Sequence, residues 1–197
     1  VTLSANLSGS YNSAVLGKNL YEEEYGDKPI YVFDSRSASI GQTLIALKIA
    51  ECEEAGMPFE QVVETVENFI TEQITYFVLE SLEALRKNGR LTGMKALVAT
   101  ALNIKPYCGA TPQGTIFQAG QARGIKKALS KMVDVFVAEL KNSEEKIVAI
   151  SHCNCFERAM DVKRMIESKI TPKKIIVLDT RGISSTYASD GGIIVSG

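Results

Sequence analysis

The sequence predicts an α/β fold in two parts. Residues 1–74 read as part of a parallel-sheet α/β domain, and residues 75–197 as a second α/β domain with a mixed sheet. Three observations predict it. Short apolar runs alternate with helical stripes before Thr75, the βαβα order of a parallel sheet with helices on its faces. After Thr75, hairpin and crossover signals are mixed. A Ser/Gly loop, Asn6 to Ser10, joins an opening strand to a helix start.

The elements follow in order. Val1 to Ser4 reads as a short strand and Tyr11 to Leu20 as a helix. Ile30 to Phe33 is an apolar run ending in Asp34-Ser35, which reads as a buried parallel strand. Gly41 to Ala55 carries Leu44, Ile45, Leu47, Ile49 and Cys52 over much of its surface, a buried helix that Gly56 closes. Pro58 starts the next helix, whose stripe is Phe59, Val62, Val63, Val66, Phe69 and Ile70. Thr75 to Leu79 is a strand, Ser81 to Arg90 a short helix closed at Asn88-Gly89, and Thr92 to Leu102 a further helix. Ile104 to Cys108 and Thr115 to Gln118 pair around the turn Thr111-Pro112-Gln113-Gly114. Gly124 to Lys141 is an amphipathic helix, Lys146 to Ser151 a strand and Cys155 to Ser168 a helix. Lys174 to Leu178 and Ile193 to Ser196 are the last strands.

The composition excludes several classes. The 197 residues are 45% hydrophobic and 23% charged, ordinary globular values. A formal net charge of −1 gives no electrostatic reason to expect nucleic acid or an anionic membrane. No apolar run approaches the ~20 residues of a membrane-spanning helix. The 4 cysteines match no zinc spacing and read as reduced thiols, which implies a cytoplasmic protein. The chain opens on Val1, with its anion-binding loop within the first ten residues. It is therefore expected to be the later portion of a longer protein. A bare sheet edge in its first half would favour self-association and weaken ligand binding.

A strand running through a Ser/Gly loop into a helix start can hold an anion, because backbone N–H groups and the helix dipole favour negative charge. By itself, Ser8-Gly9-Ser10 reads more readily as an ordinary helix cap. Asp34-Ser35 lies where open α/β sheets bind ligands, although a cap on the next helix explains it slightly better. Arg86, Lys87 and Arg90, and then Arg123, Lys126 and Lys127, form two basic groups that suit a solvated face. Arg123 stands at a helix start, where the dipole does not favour a cation. His152-Cys153-Asn154-Cys155 invites a metal or nucleophile reading. Packing explains it better, since two thiols and one imidazole so close together rarely build a tetrahedral site.

Five segments together resemble the DegV family of bacterial fatty-acid-binding proteins: Leu7 to Ala14, Asp34 to Gly41, Leu82 to Arg90, Leu102 to Pro106 and Arg123 to Ala128. The resemblance covers nearly the whole chain and lacks the family's leading strand–helix units. It implies a non-catalytic protein that holds a long-chain fatty acid between two domains and presents it to a fatty acid kinase. It implies no other cofactor. Ser8 and Gly9 match the loop that takes the carboxylate, and a threonine upstream of Val1 is the family's second donor. Arg90 and Arg123 match positions that dock the kinase. Tyr187 stands where many members carry a histidine beside the lipid head group, which puts kinase presentation in question. A runner-up reading, a small-molecule phosphotransferase or hydrolase using the Ser-rich loops, lacks a Gly-Lys phosphate loop, a metal-binding carboxylate set and a Gly-x-Ser-x-Gly elbow.

Overall fold

A computed structural model describes residues 1–91 and 103–197. The helix expected over Thr92 to Leu102 lies outside the described residues. The chain runs α1 (Ser10–Tyr25), α2 (Ile40–Glu54), α3 (Phe59–Glu72), β1 (Thr75–Val78), α4 (Glu83–Lys87), β2 (Ile104–Ala110) and β3 (Ile116–Arg123). It continues with α5 (Ile125–Glu139), β4 (Ile147–His152), α6 (Phe156–Glu167), β5 (Lys174–Asp179), α7 (Gly182–Ala188) and β6 (Ile193–Ser196).

One six-stranded sheet organises the molecule, in the order β3-β2-β1-β6-β4-β5. β4 and β5 are parallel, and the other neighbouring pairs are antiparallel, so the sheet is mixed as expected. Alternation along each strand divides the core. Tyr76, Val78, Val148, Ile150, Ile193 and Val195 pack against α5 and α6, around the fully buried Phe136 and Met132. Phe77, Leu79, Ala149 and Ile194 face the opposite side and meet Ile40 and Leu44 of α2, Leu85 of α4 and Ala188 of α7. A third cluster joins Phe33 and α2 to α3 through Ile45, Cys52, Val66 and Ile70. Each fully buried Phe or Ile contributes about 1.5–3 kcal/mol.

The first half departs from expectation at its strands. Val1 to Ser4 and Ile30 to Phe33 run side by side in the expected parallel sense, but they form one bridge, Thr2 to Asp34. Thr2 N–H donates to Phe33 O at 3.0 Å, and Ser4 N–H reaches past it to Ser37 O at 2.9 Å. Val1 and Tyr31 are both more than 40% exposed, so this apolar run is not covered on two faces. A two-stranded pair without cover is marginal, and it contracts to its best-packed point at Phe33. α1 forms as expected but buries none of its residues.

The structure also adds an element. α7 carries Ser184, Ser185 and Thr186, weak helix formers within only seven residues, so periodicity gives it no signal. The hairpin turn follows the sequence expectation. Gly114 N–H donates to Thr111 O at 2.8 Å, and Gly114 takes φ +77°, which a side chain resists.

Candidate functional site

Three loops far apart in sequence meet above one end of the sheet. Ser4 Oγ donates to Gly114 O at 2.8 Å, and Asn6 Nδ2 donates to Gln113 O at 2.7 Å. Asp34 Oδ1 accepts from Ala5 N at 3.0 Å and from Arg36 N at 3.1 Å. Asp34 therefore fastens the first loop to the second. It does not cap α2, whose N-terminus has no side-chain cap. Gly114 permits the contact, because a Cβ there would lie 2.3 Å from Ser4 Oγ and 2.7 Å from Arg36 Cα.

Beneath these loops lies a cavity of about 260 Å³. Its walls are mainly apolar: Leu3, Leu7, Phe77, Leu79, Leu85, Ile116 and Ile194, with Ile183 exposed at the surface. Ser8 lines it together with Ser37, Ser39, Thr75, Ser184, Tyr187 and Arg90. The site is thus an apolar chamber with a small set of hydroxyls and one guanidinium in its wall. That composition suits a ligand with a long apolar body and one polar end.

The Ser-Gly loop is built by backbone bonds. Leu7 N–H and Ser8 N–H both donate to Ser4 O, at 2.9 and 3.0 Å. Ser8 Oγ accepts from Ser10 N at 3.2 Å, which leaves its own O–H to donate elsewhere. Gly9 is the N-cap of α1 and supplies no side-chain cap, and a Cβ at Gly9 would meet nothing within 4 Å. Ser8 thus does not cap α1 through N2 or N3. Arg90 Nε donates to Leu7 O at 3.0 Å, and Nη1 donates to Asn88 O. Arg90 therefore braces the loop that carries Ser8. Arg123 ends β3, opposite Ile104, on an exposed surface away from the cavity lining.

Ser39 has a geometry of its own. It lies at the loop-to-helix turn before α2 with φ 54° and ψ −122°, a backbone rarely taken by a residue with a side chain. A strained serine at a turn into a helix resembles a hydrolase nucleophile. Its Oγ, however, pairs with Ser151 Oγ at 3.1 Å, which is no base. His152, the neighbour of Ser151 on β4, points the other way. It packs edge-on against Phe156, its Nδ1 accepts from Cys155 N at 3.4 Å, and its Nε2 lies 3.5 Å from Asp179 Oδ1. The two nearby thiols act as weak donors, Cys153 to Ser185 O and Cys155 to Gly192 O. Burial pushes the Cys155 thiol up from its ordinary value, so it is a poor nucleophile.

Residues 1–196 match the family described as "Uncharacterised protein, DegV family". The chain belongs to the DegV family. A DegV domain-containing protein of Streptococcus gordonii is 33% identical over 195 residues, which cover 99% of this chain and 69% of that one. A DegV family crystal structure from Ruminococcus gnavus, with vaccenic acid, is 64% identical. It has a TM-score of 0.97 and covers 100% of this chain and 70% of its own. The Streptococcus pneumoniae Fatty Acid Kinase (Fak) B3 protein, crystallised loaded with linoleic acid, is 31% identical with a TM-score of 0.82. There the match covers 99% of this chain and 69% of the other.

In this DegV chain Ser8 and Tyr187, expected at the lipid head group, line one cavity, and Arg90, expected to dock the kinase, lines it with them, while Gly9 and Arg123 are outside its lining. The sequence reading missed Ser37, Ser39, Thr75 and Ser184. Ser37 and Ser39 stood in a visible Ser-rich run after Asp34, where capping competed as an explanation. Thr75 opens an apolar strand, and nothing in its local pattern separates a cavity wall from core. No helix among the described residues is long and apolar enough to cross a membrane.

Proposed function

We propose that this DegV protein binds one long-chain fatty acid and presents it to a fatty acid kinase without catalysing a reaction itself. The observation that carries the reading is an apolar chamber lined by Ser8, whose hydroxyl proton is free to donate. A carboxylate taken from water needs such donors or suffers a large desolvation cost, while the chain gains roughly 25 cal/mol per Å² of buried apolar surface. Ser8 donates to the carboxylate, and Gly9 leaves open space for it to approach the backbone. Tyr187, half-buried in the chamber wall, supplies a phenol donor. Arg90 holds the loop and offers its remaining N–H groups at the mouth. Arg123 is the exposed docking residue for the kinase. The relatives crystallised with vaccenic and linoleic acid support the ligand class, and the Fak B3 protein supports the kinase partner. The four free thiols suit a reducing cytoplasm.

Extraction of the protein purified from a bacterial host, followed by mass spectrometry, tests the reading. A stoichiometric long-chain fatty acid is the expected result. Absence of such a lipid, together with no calorimetric signal on titrating the stripped protein with stearate or vaccenate, refutes it.

A further inference from the structure

Three buried hydroxyls form a chain at the cavity wall. Ser37 Oγ lies 2.8 Å from Thr75 Oγ1, and Thr75 Oγ1 lies 2.9 Å from Ser196 Oγ. Ser196 Oγ donates to Ile74 O at 2.9 Å. Each hydroxyl carries one proton. With the Ser196 proton on Ile74 O, Thr75 must donate to Ser196, and Ser37 must donate to Thr75. Running the chain backwards gives up the 2.9 Å bond to Ile74 O and leaves the Ser37 proton only Ala38 O, 3.5 Å away. The shorter bond decides the direction. All protons therefore point away from the cavity.

Ser37 Oγ is left as the open end, and among the described residues it accepts no hydrogen bond. Ser37 is only 4% exposed yet lines the chamber with Thr75. Gly41 makes room for it, since a Cβ there would come within 2.2 Å of Ser37 Oγ. Here the wall accepts a hydrogen bond at Ser37 Oγ and offers none. A carboxylate gains nothing there, and a plain methylene chain leaves the acceptor unpaired.

We propose that the chamber takes long-chain fatty acids that bear a hydroxyl on the acyl chain, with that O–H donating to Ser37 Oγ. The proposal rests on the fatty-acid reading above. It assigns Ser37 as a specificity residue and Thr75 as the positioning residue that sets its polarity.

The test is calorimetric titration of lipid-stripped protein with stearate and three mono-hydroxystearates. These carry the hydroxyl near the carboxylate, at mid-chain and near the methyl end, and each is paired with its keto counterpart. One hydroxy isomer is expected to bind about fivefold tighter than stearate, the effect of one neutral hydrogen bond, and its keto counterpart is not. Ser37→Ala should erase the preference while stearate binds as well or better. Thr75→Val keeps the shape, frees the Ser37 proton to donate into the chamber, and should raise affinity for the keto counterpart about fivefold. If stearate binds and no hydroxy isomer exceeds it, the proposal is wrong and the fatty-acid reading stands. A hydroxyl preference that survives Ser37→Ala also overturns it. If neither stearate nor any hydroxy isomer binds, both readings fall.

Discussion

Replacing Ser8 by Ala isolates the head-group contact from the fold. The loop keeps its shape through backbone bonds, since Leu7 and Ser8 N–H both donate to Ser4 O and Arg90 holds Leu7 O. The side chain has two bonds to lose. One is the Ser10 N–H contact at 3.2 Å, near the start of a helix that buries no residue. Its loss changes apo stability by about 0.5 kcal/mol. The other is the bond that the proposed function gives it to the ligand carboxylate, a hydrogen bond to a charged group worth about 1.5–3 kcal/mol. Affinity for stearate should therefore fall about 10- to 150-fold, while the unfolding midpoint of the lipid-free protein barely moves. Ser8→Thr keeps a hydroxyl at the position and should recover most of the loss. The assay is calorimetric titration of stripped wild type and both variants, with denaturant unfolding alongside. Equal affinity for wild type and Ser8→Ala refutes the placement of the carboxylate. A large drop in apo stability refutes the separation of loop from contact.

Three further outcomes follow from the geometry. Gly114→Ala places a Cβ against Ser4 Oγ and the Arg36 backbone at φ +77°, so it should cost at least about 2 kcal/mol in denaturant unfolding and lower fatty-acid affinity. Glu80 is pushed up by burial, but the hydrogen bonds from Lys105 and Arg158 outweigh this and hold its carboxyl below the ordinary 4.5. A depressed carboxylate stabilises the fold above its unfolded pKa and loses that contribution as pH falls through the folded value. Melting temperature should therefore drop below about pH 4.5, and Glu80→Gln should flatten that limb at a cost of about 1 kcal/mol or less at neutral pH. Arg123→Ala should leave stability within about 0.5 kcal/mol and lower acyl phosphate formation by a cognate kinase, and unchanged product yield would remove Arg123 from the docking surface.

How much of this was legible depended on the range of the forces involved. Helices α3 and α5 were legible because their apolar stripes are local, and α2 because apolar residues cover much of its surface; each buries against a neighbour. The mixed sheet was legible from the hairpin turn at Gly114 and the apolar runs of β4 and β6. The strand at Ile30 to Phe33 was not, because an apolar run becomes a strand only when partners cover it, and Tyr31 has no such cover. The place of Ser8 on the cavity was legible only through the family resemblance, because by itself its strand–Ser/Gly–helix junction reads as an ordinary cap. Ser37, Thr75 and Ser196 were not, because their hydrogen bonds join residues 38 and 121 positions apart. No window of sequence shows that the first residue of β1 will meet the last residue of β6.

That separation also explains how the chamber is put together. Its loops are tied to one another across 29 to 110 residues of chain by the side chains of Asp34, Asn6 and Ser4, each bonded to a main-chain group of another loop. Its floor comes from β1 and β6, neighbours only because the sheet brings sequence-distant strands together. Every wall thus depends on a different long-range contact, and no single segment owns the site. A ligand lying along the chamber touches the first loop, the second loop, the hairpin, the sheet and α7 at once. Its apolar body replaces water along surfaces that the fold alone leaves uncovered. On the proposed function, a fatty acid in contact with all of these walls at once stabilises the arrangement that brings them together, and the melting temperature should rise with fatty-acid concentration.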